Sequence, residues 1–226
     1  MTELKTSGRS PKAHGGYPKF VYRAFRERFF ADEFALHGRF RLANLRVYIA
    51  IEDAGRRDPS EGKGHFQSLG TVTTVGFVPG SDESFVRQAP GYVHTHTELL
   101  NPTFILSCAL PGVDLGHLRS RFGVWVAKID NPRGLAHELA RHLGQLAHRF
   151  AGIEGCVVHY NKGGRVRPSL SNIARTRLSY SQKPITFGPD KEFRFVTHAM
   201  GSPRSRFNDN YLSVDLGRSL DYVNVI

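Results

Sequence analysis

The sequence predicts an α+β protein: a single domain built on a split or strongly bent mixed β-sheet with a few flanking helices. Three observations lead there. Strand-like apolar patterning recurs many times along the chain, helical periodicity recurs only a few times, and the two do not alternate as a doubly wound fold requires. A length of 226 residues is enough to bury one sizeable core. Hydrophobic residues at 40% and aromatic residues at 11% supply that core, with sixteen phenylalanines among them.

Residues 1–16 are polar, basic and glycine-rich and are expected to form a flexible arm ahead of a domain over 17–226. They lack the apolar stretch of a signal peptide, and no apolar run approaches ~18 residues. A cytoplasmic protein without a membrane partner is expected. Residues 18–25 read as a strand. Residues 26–37 read as a helix, with Phe30 and Phe34 one turn apart and Gly38 as its terminator. The mixture over 39–51 fits strand, helix or both, and the Pro- and Gly-bearing stretch 56–64 reads as a loop.

Strand-like runs follow at 65–78, 91–98 and 103–110, and residues 114–121 hold one or two helical turns. A buried strand over 122–129 carries Trp125, the single tryptophan. The strongest helix signal comes next: Asn131 as cap, Pro132 in the first turn, and a stripe of Leu135, Leu139, Leu143, Leu146 and Phe150. Strands are expected at 153–160, 193–198, 211–214 and 221–225, with a largely irregular basic segment before the second of these. Cys108 and Cys156 lie inside apolar runs and read as buried thiols of a reducing compartment.

A formal charge of +11 and a pI near 10.0 point to a negatively charged partner, nucleic acid or another polyanion first. Residues 155–189 contain no Asp or Glu but carry Lys162, Arg165, Arg167, Arg175, Arg177 and Lys183. Of these, Lys162, Arg165, Arg167, Arg175 and Arg177 are the candidate nucleic-acid contacts. Gly163 and Gly164 permit close backbone approach, and Tyr160 and Tyr180 are candidates for base stacking. The segment then meets Asp190 and Glu192. Strand alternation puts Phe193 and Phe195 on one face, with Asp190, Glu192 and Arg194 on the other.

Other constellations carry less. Asp53, Asp58, Glu61 and Lys63 have the composition of an acid–acid–lysine metal nuclease site, but in a turn-rich stretch. His94 and His96 share a strand face without a third ligand at useful spacing, so no metal site is assigned. Gly62-Lys63-Gly64 lacks the remaining residues of a phosphate-binding loop.

Tyr22-Arg23, the loop 57–62 (Arg-Asp-Pro-Ser-Glu-Gly), Phe104-Ile-Leu-Ser-Cys108 and Asp190-Lys-Glu192-Phe-Arg-Phe195 together resemble an uncharacterised (DUF-type) family of bacterial and phage proteins, some near abortive-infection genes. The likeness covers most of residues 20–200. More distantly, the order of motifs is similar to the ADP-ribosyltransferase fold. That likeness implies NAD as cofactor and Arg23, Ser107 and Glu192 as catalytic residues, with Tyr22, Arg23 and Asp190 holding the cofactor. The middle motif departs from the family's pattern, because Ser107-Cys108-Ala109 keeps only its first serine. The chemistry itself is consistent: an arginine fork suits the pyrophosphate, and a fixed carboxylate suits the positive ribose that forms when the nicotinamide bond breaks. The implied function is transfer of ADP-ribose to a nucleic acid or a protein in phage–host conflict. The alternatives are a non-catalytic nucleic-acid-binding protein and a metal-dependent nuclease.

Overall fold

The computed structural model describes residues 13–50, 63–77, 84–98, 102–146, 150–160, 179–200 and 210–226. In chain order the elements are β1 (Ala13–Gly15), β2 (Val21–Phe25), α1 (Arg28–His37), β3 (Arg39–Asn44), α2 (Leu45–Ala50), β4 (Lys63–Phe77), β5 (Ser84–Glu98), β6 (Thr103–Ala109), α3 (Leu115–Phe122), β7 (Trp125–Ile129), α4 (Pro132–Gln145), β8 (Ile153–Val157), a 3-10 helix (Ile185–Asp190), β9 (Glu192–His198), β10 (Tyr211–Asp215) and β11 (Val223–Val225). This is the α+β, mixed-sheet architecture the patterning predicts. Ala13–Gly15, assigned by composition to the arm, pairs in parallel with β8 as an edge strand.

The main sheet runs β1-β8-β9-β6-β2-β7-β11, and β3 pairs with both β6 and β10. The consequential feature is a split along one edge of β6. Tyr22 of β2 pairs with Ala109 near the end of β6, whereas Ala43 and Asn44 of β3 pair with Ile105 and Phe104 nearer its start. Between these points β2 and β3 diverge, leaving a gap at Ser107. On its other edge β6 is paired with β9 throughout, from Thr103↔His198 to Ala109↔Glu192. β4 and β5 form a separate antiparallel ladder whose register runs from Lys63↔Glu98 to Phe77↔Ser84.

One face of the sheet carries the main core. Phe104, Leu106 and Cys108 of β6 and Phe193 and Phe195 of β9 meet Phe34 of α1 and Leu135, Leu139 and Leu143 of α4. This core is the largest of the three buried clusters among the described residues, and each Å2 of apolar surface it removes from water contributes roughly 25 cal/mol. Asn131 caps α4 by accepting the Gly134 N–H at 2.9 Å, as its sequence predicts. The helix stops at Gln145, short of the expected stripe. Leu146 and Phe150 still pack on the core, Leu146 from extended backbone and Phe150 from a bridge to Ala199. In α1, Phe34 is buried but Phe30 is 47% exposed, so only one of that expected pair faces inward. Gly38 ends α1 in the left-handed conformation, φ 64°.

The opposite face is covered by α3, which packs Leu118 and Phe122 on Tyr22, Ala24, Ala109 and Val126. Asp114 caps α3 by accepting the N–H groups of Gly116 and His117. The 3-10 helix lies beside α3. Within the stretch expected to be strand, helix or both, residues 39–50 resolve into strand followed by helix. Both cysteines are free and buried. Among the described residues no helix is long and apolar enough to cross a membrane.

Candidate functional site

Alternation places Ser107 and Ala109 of β6, and Glu192 and Arg194 of β9, on the face under α3. Arg23 has the parity of Val21 and Phe25, the opposite face, but β2 flanks the split. Its Nη1 donates to the Ser107 carbonyl at 2.7 Å, a group the diverging strands leave open. Ser107 Oγ in turn donates to Glu192 Oε1 at 2.7 Å. Ser107 thus contacts residues 84 and 85 positions away, Arg23 through its carbonyl and Glu192 through its hydroxyl.

These side chains line a cavity of about 210 Å3, together with Tyr22, Lys183 and Asp190. Every residue assigned from sequence to catalysis or to cofactor binding (Tyr22, Arg23, Ser107, Asp190 and Glu192) therefore lies on one cavity wall or another. Lys162, Arg165, Arg167, Arg175 and Arg177 lie outside the described residues, as do Asp53, Asp58 and Glu61. Lys63 and Gly64, expected in a loop, open β4 instead.

Glu192 is the most constrained group. Its Oε1 also accepts from Arg194 Nε at 2.7 Å, and its Oε2 accepts from Lys183 Nζ at 2.8 Å and Arg194 Nη2 at 3.3 Å. Burial alone would raise its pKa, but the charges and hydrogen bonds of Arg194 and Lys183 outweigh that and hold the carboxyl well below the usual carboxylate range. It is ionised at neutral pH. Its backbone N–H donates to the Tyr160 hydroxyl at 2.6 Å, and burial pushes the Tyr160 phenol above its ordinary value.

Asp190 is buried at the end of the 3-10 helix rather than on β9, its Oδ1 3.1 Å from His117 Nε2 and 3.4 Å from Arg121 Nε. Lys191 then adopts φ 43°, a left-handed turn that starts the strand. The Arg121 guanidinium also lies 5.5 Å from the Phe187 ring centroid, and Lys183 Nζ lies 5.1 Å from the same centroid. Phe187 thus sits between two cations at the cavity wall. Arg23 Nε is buried with no hydrogen-bond partner among the described residues. Cys108 sits behind Ser107, and burial pushes its thiol up to about 12, so it is not a nucleophile at neutral pH.

The polar face of β9 is buried: Arg194 has no exposed area and Glu192 only 6%. Tyr180 is no stacking platform: it is 4% exposed and donates to Glu154 Oε2 at 2.7 Å. Tyr160, its expected companion, braces β9. Sequence reasoning passed over Lys183, His117 and Arg121. Lys183 is hidden in a run of cations, and the other two fall in a stretch expected only to hold one or two helical turns.

No protein-family model matches the chain, and neither curated proteins nor solved structures yield a match. The site itself defines a class only in physical terms: a small, buried, charge-rich cavity at a split in an α+β sheet.

Proposed function

We propose that the chain is an ADP-ribosyltransferase-like enzyme that uses NAD, with the cavity taking the nicotinamide-ribosyl end. The observation that carries this reading is the convergence of Arg23, Ser107 and Glu192 on one cavity, with Ser107 hydrogen-bonded to both of the others. Three further features support it. Among the described residues the lining carries three cations, Arg23, Arg121 and Lys183, against two carboxylates, Asp190 and Glu192, a positive balance that suits an anionic ligand such as a pyrophosphate. The orphaned Arg23 Nε is a donor a ligand would satisfy. At about 210 Å3 the cavity is smaller than the 300–1,000 Å3 typical of whole-ligand sites, which suits one end of a larger molecule.

In this reading the C1′–N bond breaks heterolytically, and its electron pair leaves with nicotinamide. The acceptor attacks C1′ and gives up its proton. Glu192, ionised and fixed from several directions, counters the positive charge developing on the ribose. Lys183 is the cation best placed to move from Glu192 to a substrate oxygen, because Arg194 alone keeps both carboxylate oxygens bonded. Incubation of the protein with labelled NAD plus RNA, DNA or lysate tests the reading. Label transfer or nicotinamide release by the wild type, lost in Glu192→Gln, is expected; neither activity in the wild type rejects it.

One observation favours a second reading, a non-catalytic nucleic-acid-binding protein. Glu192 already takes four donor contacts, as the anion of a structural ion cluster would. In that case Glu192→Gln lowers stability and leaves polyanion binding intact.

A further inference from the structure

On the other side of Arg23 lies a larger feature. A groove of about 910 Å3 runs between α1, β3 and β10, with Arg23 belonging to its wall as well as to that of the smaller cavity. Three of its aromatic side chains are turned to solvent: Phe29 is 62% exposed, Phe30 47% and Tyr211 46%. Side chains of this size are costly to leave in water, and grouped exposure marks a surface that something covers. Phe29 and Phe30 pack edge to face at 5.5 Å, each leaving ring surface open.

Cations are interleaved with these rings. The Arg41 guanidinium lies 5.9 Å from the Tyr211 ring centroid, and neither Arg41 nor Arg26 has a carboxylate partner among the described residues. Arg39 bridges Glu33 and Asp215, two of the three acids along the groove, Glu27 being the third, and four arginines (Arg23, Arg26, Arg39 and Arg41) stand against those three carboxylates among the described residues. The occupant that fits is one with flat apolar faces joined by negative charges, because stacking needs the first and Arg26 and Arg41 need the second. A purely apolar peptide leaves the arginines unused, and an acidic peptide leaves the rings uncovered.

We propose that this groove binds single-stranded nucleic acid, with bases stacked on Phe29, Phe30 and Tyr211 and phosphates held by Arg26 and Arg41. Binding rests on the groove alone. The strand's role as acceptor rests on the transfer proposed above, and the shared Arg23 brings the two sites side by side.

The test is fluorescence anisotropy of short labelled RNA and DNA oligonucleotides without NAD, at two salt concentrations. The full-length protein is compared with Phe29→Ala/Phe30→Ala, Arg26→Glu/Arg41→Glu and Glu192→Gln, all checked for folding by circular dichroism. The expected result is salt-sensitive binding by the wild type, unchanged in Glu192→Gln, and weakened about tenfold or more in each groove variant. Equal affinity in the wild type and both groove variants overturns the proposal and moves binding to another basic surface. No wild-type binding overturns it too. A wild-type dimer that Phe29→Ala/Phe30→Ala converts to monomer, with oligonucleotide affinity unmoved, makes the patch a self-association surface instead. Because NAD is absent, failure here and failure of the transferase reading are separate results.

Discussion

Arg194 has no exposed surface, yet it carries a full charge through the middle of a strand. It is tolerated because Nε and Nη2 meet Glu192 and Nη1 donates to the Tyr180 carbonyl at 2.8 Å. Arg194→Ala leaves the buried Glu192 with Lys183 as its cation and the Ser107 hydroxyl as its other donor among the described residues, and a loss of about 3–5 kcal/mol in urea denaturation is expected. The same cluster sets a pH dependence. Glu192 has a folded pKa below its unfolded value of about 4.3, so its stabilisation is fully present above that value and is lost as pH falls toward the folded one. The wild-type urea midpoint is therefore expected to fall as pH drops below about 5, with a shallower fall in Glu192→Gln; parallel curves would contradict the assignment. The Glu192–Arg194 pairing was readable from i, i+2 spacing on a strand. The link from Arg23 to Ser107 was not, because it depends on two strands diverging from a third at that point.

At the scale of elements, α3 matters more to the site than its length suggests. It carries His117 and Arg121 to Asp190, and Asp114 holds its first turn. Asp114→Ala is expected to cost about 1 kcal/mol of stability and, in the transferase reading, to lower activity by loosening that wall. Gly38 closes α1 at φ 64°, where an added Cβ would meet the Arg218 carbonyl oxygen at 2.8 Å. Gly38→Ala is expected to destabilise by about 1–2 kcal/mol, read from thermal or urea unfolding. Most elements were legible because caps and periodicity agree, as Asn131, Pro132 and the leucine stripe do for α4. Boundaries failed where packing outlasts regular backbone: Leu146 and Phe150 continue the stripe after the helix has ended. β5 begins earlier than its apolar pattern because Pro90 reads as a break. In a two-stranded ladder both strands are edges, and an edge accommodates a proline.

At the scale of the whole molecule, the split sheet explains why the site sits where it does. Full pairing of β6 on the β9 side fixes Ser107 against Arg194 and Glu192, while incomplete pairing on the other side admits Arg23. The charge of +11 is spread far beyond this cavity, so retention on a polyanion column is expected to weaken steeply with salt in wild type and Glu192→Gln alike. The more selective question concerns the cavity itself. Titration of NAD into the wild type and into Arg23→Ala, followed by calorimetry or by saturation transfer to the nicotinamide protons, tests it most directly. Binding by the wild type that weakens tenfold or more in Arg23→Ala is the predicted result. Absence of NAD binding by the wild type, or equal binding by both forms, would contradict it.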